Sequence, residues 1–219
     1  MSSRTTSNPG FLRPERDHAS HEHAGHGPEH VTGGVRAMAA SATLHCLTGC
    51  AIGEIAGLII GTAAGLGVGL TIALSVTLAF AFGYALSTLP LLRVGLPVGT
   101  ALGVVLAADT LSILTMEVVD NAVMAAIPGA MDAGLVNSVF WVGLLVALAA
   151  AFVAAYPVNR FLMARGKGHA LTHAYHGAAG ASGARRFIPA FATATLAAAV
   201  TAFLLGGLLV SLAAEGLLS

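Results

Sequence analysis

The stretch PVGTALGVVLAADTLSILTMEVVDNAVMAAI, residues 97–127, decides the fold of this chain. It is apolar and exceeds the roughly 20 residues that a helix needs to cross a bilayer. With about 100° of rotation per residue, one side of this helix carries acids and thioethers together: Asp109, Met116, Glu117, Asp120 and Met124. Acids within a membrane are costly and usually face a protein interior, where they serve function.

The composition places the chain among integral membrane proteins. Of its 219 residues, 56% are hydrophobic and 9% are charged, and the mean hydropathy is +0.84. A soluble domain carries about 25% charged residues, so this chain has too few to cover a water-exposed surface. The apolar segments lack the alternating pattern of barrel strands. We therefore predict an all-α membrane protein.

The distribution of apolar segments predicts a five-helix transmembrane bundle. A polar stretch, residues 1–40, is predicted to be a disordered, His-rich cytoplasmic tail. Residues 41–177 form a four-helix membrane domain with a His-containing cytoplasmic segment, and residues 178–219 form a linker and a fifth helix. The predicted helices cover about 45–66, 69–92, 97–127, 132–156 and 187–214.

The positions of the basic residues predict the orientation. With five spanning helices, all 10 Lys and Arg residues fall on one side of the membrane. Lys and Arg are enriched in cytoplasmic loops. The prediction is an N-terminus in the cytoplasm and a C-terminus outside.

The first helix begins with HCLTGCAIGE, residues 45–54. Its two cysteines and its glutamate are spaced four apart and therefore share one helix face. Thiolates select soft metals, and an adjacent imidazole adds a nitrogen ligand. The alternative is that the cysteines are small buried hydrophobic residues. The candidate metal ligands are His45, Cys46, Cys50 and Glu54.

Glycines recur at every fourth position of the same helix, from Gly49 to Gly65. Such ridges of small residues let helix backbones approach closely in membranes. We expect this ridge to pack against the second or the third helix.

The acids of the third helix have no Lys or Arg within the predicted membrane segments to pair with. The compensating positive charge is then a proton, a metal ion or a substrate cation. We predict an ion or proton pathway along this helix, formed by Asp109, Met116, Glu117, Asp120 and Met124. The alternative is that the carboxyl groups are neutral and hydrogen-bonded, and that the methionines fill the core.

Histidines concentrate in two polar segments and are candidate auxiliary metal ligands. His-rich tracts bind transition metals, although such a tail also serves simply as a solubilising segment. The second group recurs at helical spacing in a basic segment, which also suits contact with anionic lipid. The two groups are His18, His21, His23, His26 and His30, and then His169, His173 and His176.

Several strings occur together in a characteristic order: HCLTGCAIGE, ADTLSILTME, PGAMDAGL, and AYPVNRFLMARGKGHA. In these motifs the chain resembles an uncharacterised family of small bacterial integral membrane proteins, defined by a domain of unknown function. The resemblance covers about residues 41–177 and leaves the tail and the fifth helix outside. It implies a multi-pass protein of the bacterial inner membrane and implies no particular activity.

These features predict a membrane protein that binds, and transports or handles, a soft or borderline metal cation, Cu(I) or Zn(II). One alternative is a proton-coupled carrier of a small solute, and another is an accessory or assembly subunit of a larger membrane complex. No nucleophile–base pair, nucleotide-binding loop or haem motif occurs, so we do not expect the protein to be an enzyme. A membrane metalloenzyme is the one enzyme class that these observations leave open. The expected partners are the lipid bilayer, a metal ion or protons, and a second copy or a larger complex, with no nucleic acid.

Overall fold

The computed structural model describes residues 28–93, 95–165, 183–189 and 192–217. Within these ranges the chain forms five α-helices and one short 3-10 helix, Gly183–Phe187, with no strand. All five α-helices are long and apolar enough to cross a membrane, as predicted. They are α1 Pro28–Ala63, α2 Val68–Arg93, α3 Val98–Ala126, α4 Ser138–Ala164 and α5 Thr193–Ala214.

The helices alternate in direction across the bundle. Residues 64–67 and 127–137 connect α1 to α2 and α3 to α4, and these two connections form what we call the hairpin end. Gly65, whose φ is +66°, lies in the first of these turns, where a side chain would be strained. The basic residues that the structure describes lie towards the opposite end, which we call the basic end: Arg36, Arg93, Arg160, Arg165, Arg185 and Arg186.

Several predicted helix bounds differ from the structure. The first helix begins at Pro28, so residues 28–40 are helical and do not belong to a disordered tail. The fifth begins at Thr193 instead of near residue 187, because residues 183–187 form the 3-10 helix. The fourth helix ends at Ala164 instead of near residue 156, because it continues through Pro157. Membrane helices tolerate proline where neighbouring groups satisfy the freed backbone.

The start of α4 also lies later than predicted, at Ser138 instead of residue 132. Turns occupy the residues between α3 and α4. The Asn137 side chain then accepts a hydrogen bond from the Val139 backbone N–H at 2.9 Å. Asparagine in this position is a favoured N-cap, so the helix begins directly after it.

The glycine ridge of α1 packs against α2, one of the two partners predicted for it. A Cβ atom on Gly49 would lie 2.5 Å from Gly83 Cα, and one on Gly53 would lie 2.2 Å from Ala79 N. The next glycine along the ridge, Gly57, faces Ser75 in the same way. Only glycine permits this backbone contact. The ridge therefore fixes α1 against α2 and leaves another face of α1 for α3.

The fifth helix is joined to α4 at the hairpin end. Gly207 lies against the Trp141 ring, since a Cβ there would come within 2.4 Å of it. The Glu215 carboxylate accepts hydrogen bonds from the backbone N–H and the hydroxyl of Ser138, both at 2.8 Å. These bonds lower the pKa of Glu215 from its ordinary value, and a carboxylate at a helix N-terminus is favourable.

Candidate functional site

The candidate site lies between the parallel helices α1 and α3. Side chains spaced by four on α1 face side chains spaced by four on α3, so that groups of similar chemistry meet at successive levels. Cys50 of α1, for example, meets Met116 of α3, and one helical turn further on Glu54 meets Asp120. Four residues of helix rise by about 6 Å, which is therefore the spacing between levels.

The first level is a cluster of three buried sulfurs. Cys46 and Met116 are fully buried and Cys50 is 1% exposed. The Cys50 Sγ atom lies 4.0 Å from Met116 Sδ. Both cysteines are free thiols, and apolar side chains, Ala79 and Ala151 among them, pack against the cluster. We call Cys46, Cys50 and Met116 the sulfur cluster.

Two polar groups of α3 adjoin Cys46 on the side towards the basic end. Asp109 and Ser112 both lie close to its sulfur, and both are buried, at 1% and 0% exposure. Further towards the basic end, Asn159 Nδ2 donates to Thr43 Oγ1 at 2.8 Å. Asn159 is a contact that the sequence did not indicate, since nothing in its local pattern distinguishes a buried residue from a helix cap.

Carboxyl groups begin beside the sulfur cluster with Glu117 and continue at the second level with Glu54 and Asp120; we call these three residues the carboxyl layer. Glu117 lies beside the Cys50 thiol and is 3% exposed. Glu54 lies beside Asp120, which is 4% exposed. Apart from the contacts of Glu54 with Asp120 and of Glu117 with Cys50, no hydrogen bond within the described residues reaches these carboxyl oxygens, except at Oδ2 of Asp120.

The positions of the basic side chains determine what can balance the charge of this carboxyl layer. The basic side chains that the structure describes lie towards the basic end, at the ends of the helices. An ionised carboxylate buried without a partner is strongly unfavourable. The layer is therefore suited to hold protons or an incoming cation, and the ion or proton pathway along α3 stays a prediction.

A cavity of about 300 Å³ extends from the carboxyl layer to the hairpin end. Glu54 and Asp120 line its inner part, and Leu66 and Asp132 line it near the connecting segments. Asp132 is exposed, so the cavity reaches the protein surface. Met124, predicted as part of the ion pathway, also lines it. We call this space the hairpin-end cavity.

The predicted metal ligands of α1 are not all brought together. His45 Nε2 donates to the Leu86 carbonyl oxygen of α2 at 3.1 Å, and Glu54 lies at the carboxyl layer. Among the residues that the structure describes, no three side chains of His, Cys, Asp or Glu form a group that could hold a metal ion. The two cysteines remain together, and their nearest sulfur neighbour comes from α3.

The auxiliary histidine ligands cannot be placed with the site. Seven of these predicted ligands lie outside the described residues: His18, His21, His23, His26, His169, His173 and His176. The eighth, His30, lies in α1, but its side chain is outside the described part of the structure.

Residues 36–168 match the family model described as Domain of unknown function (DUF4396). This range is more than half of the chain. The chain belongs to this family. The matched region holds the sulfur cluster, the carboxyl layer and most of α1 to α4, while α5 lies outside it. No curated protein and no solved structure matches the chain.

Proposed function

We propose that this protein binds a soft metal cation, Cu(I), at the sulfur cluster and handles it within the bacterial inner membrane. The observation that supports this most is the approach of Cys50 Sγ to Met116 Sδ, at 4.0 Å. Two sulfurs each about 2.3 Å from one metal ion in a trigonal plane are about 4.0 Å apart. The Cys50 thiol donates a hydrogen bond to Met116 at this separation, which is also one that a shared ion would accept.

The donor set favours Cu(I) over Zn(II). A structural zinc site takes four nitrogen, sulfur or oxygen ligands, and even a catalytic site takes three such protein ligands and a water. Here two thiols and one thioether lie in one buried cluster, and the polar groups beside the cysteines do not complete a set of three His, Cys, Asp or Glu ligands among the described residues. Thiolate and thioether ligands together are typical of Cu(I) sites. The proposed ligands are therefore Cys46, Cys50 and Met116.

The carboxyl layer gives the bound cation a polar connection towards the surface. It adjoins the sulfur cluster through Glu117 and the hairpin-end cavity through Glu54 and Asp120. We propose that the N-terminus is cytoplasmic, because Lys and Arg favour that side and the described basic residues share one end. In this orientation the hairpin-end cavity faces the outside.

A proton-coupled carrier of a small solute is the second candidate. The observation that favours it is the pair of buried carboxyl groups, Glu54 and Asp120, within a cavity of about 300 Å³. Such a carrier would need these acids for pH-dependent uptake and would not depend on Cys46 or Cys50.

Replacing Met116 with leucine tests the proposal at the α3 residue that contacts Cys50 of α1. Leucine keeps the apolar volume but removes the sulfur donor. We expect purified protein to bind one Cu(I) per chain, and Met116→Leu to bind it at least about tenfold more weakly, since loss of even an outer partner of a metal ligand typically costs 10–100-fold. Competition against a chromogenic Cu(I) chelator measures both quantities.

Met163 provides the matched control for this experiment. It is also a buried methionine, at 7% exposure, but it packs with Ala39 and Ala42 towards the basic end. Met163→Leu should bind Cu(I) as the wild type does. Equal affinity in Met116→Leu and the wild type would contradict the proposed ligand set.

A further inference from the structure

The hairpin-end cavity combines two kinds of cation-binding group. Its inner part is formed by the adjacent carboxyl groups of Glu54 and Asp120. Three of their buried oxygens have no hydrogen bond to any group outside this pair in the described part of the chain. Two thioethers, Met124 and Met131, line it nearer the hairpin end. Thioethers suit soft cations, and carboxylates supply charge.

Carboxyl side chains connect the cavity to the sulfur cluster. Glu54 is one helical turn from Cys50 on α1, a rise of about 6 Å. Glu117 adjoins Cys50 from α3. A cation in the cavity thus has carboxyl groups directly between itself and the cluster.

The opposite side of the sulfur cluster is closed by packing. Between Cys46 and the basic end, Ala39 and Thr43 are completely buried and Ala42 is 3% exposed. The hydrogen bond from Asn159 to Thr43 joins α4 to α1 at the same level. This side therefore offers no comparable opening in the described conformation.

A second cavity, of about 390 Å³, lies between α1, α4 and α5 and has a different character. Its lining is leucine, alanine, valine and phenylalanine with two threonines, and it contains no carboxyl group. One of those threonines, Thr48, already donates to the Leu44 carbonyl oxygen at 2.8 Å. A bare cation in such surroundings would lack any charge partner.

We infer that the hairpin-end cavity is the entrance to the sulfur cluster, a transit site in which Met124, Met131, Glu54 and Asp120 take a soft monovalent cation. This inference rests on the proposed function, and adds to it a route and a side of access. The cation passes from the thioethers to the carboxyl layer and then to Cys50. Entry and exit through this route occur at the hairpin end.

Filling the cavity tests this route. Leu58 lines the cavity one turn beyond Glu54 on α1, and Ile72 lines it from α2. We expect Leu58→Trp and Ile72→Trp each to slow the uptake of Ag(I), a redox-inert soft cation, by at least about tenfold while leaving the final amount per chain unchanged. Rapid filtration of purified protein followed by elemental analysis gives the time course.

Ala149→Trp is the matched control, because Ala149 lines the second cavity. Its uptake rate should equal that of the wild type. Wild-type rates in both cavity-filling variants, each with its helical content intact, would overturn the inferred route while leaving the sulfur cluster as the binding site. Failure of the wild type to take up any Ag(I) would overturn the proposed function, and this inference with it.

Discussion

Replacing both Cys46 and Cys50 with serine is expected to abolish the retention of Cu(I) by the purified protein. Serine keeps the approximate size of cysteine but replaces a soft sulfur donor with a hard oxygen, which Cu(I) does not favour. Met116 alone would then remain of the proposed ligands. The bound copper, measured by elemental analysis after desalting, should fall from about one ion per chain to background.

Thr48→Ser is a suitable control for the double variant. Thr48 lies between the two cysteines on the same helix, is 3% exposed, and uses its hydroxyl on a backbone carbonyl within α1. This variant should retain copper fully. If Cys46→Ser/Cys50→Ser retained as much copper as Thr48→Ser, the cysteines would not be ligands and the carrier hypothesis based on Glu54 and Asp120 would gain support.

Replacing Gly53 with alanine is expected to destabilise the bundle strongly. The added Cβ would lie 2.2 Å from Ala79 N and 2.3 Å from Ala79 Cα, and both are backbone atoms that no rotamer change can move. Overpacking of this kind costs about 1–3 kcal/mol and occasionally more. The midpoint of thermal unfolding in detergent should fall clearly, because α1 and α2 must separate.

Gly103→Ala separates this packing effect from the general effect of alanine in a helix. A Cβ at Gly103 on α3 would meet no atom within 4 Å. Alanine is favoured over glycine within helices by about 1 kcal/mol, so this variant should be as stable as the wild type or more so. Equal destabilisation by the two substitutions would contradict the close contact of α1 with α2.

The hydropathy of the sequence predicts the five helices, because a helix that crosses a bilayer satisfies its own backbone hydrogen bonds and needs apolar side chains along its whole length. The helix bounds were harder to predict. Proline commonly ends a helix in soluble proteins, but here α4 continues through Pro157 to Ala164. The extension of α1 back to Pro28 crosses a polar stretch that hydropathy excludes.

The candidate site was predicted in part, for a reason that lies in helix geometry. Spacing along one helix determines which residues share a face. The sequence therefore predicts that Cys46 and Cys50 share one face of α1, and that Met116 and Asp120 share one face of α3. Which helix each face meets depends on tertiary packing. The glycine ridge directs one side of α1 to α2, and only the structure shows that Cys50 then meets Met116.

X-ray absorption at the copper K-edge tests the central claim most directly, because it reports which atoms bind the metal in the wild-type protein. Our account predicts a Cu(I) edge and a first shell of three sulfur atoms, with one sulfur lost in Met116→Leu. A first shell of nitrogen or oxygen atoms, or a sulfur shell that Met116→Leu leaves unchanged, would contradict it.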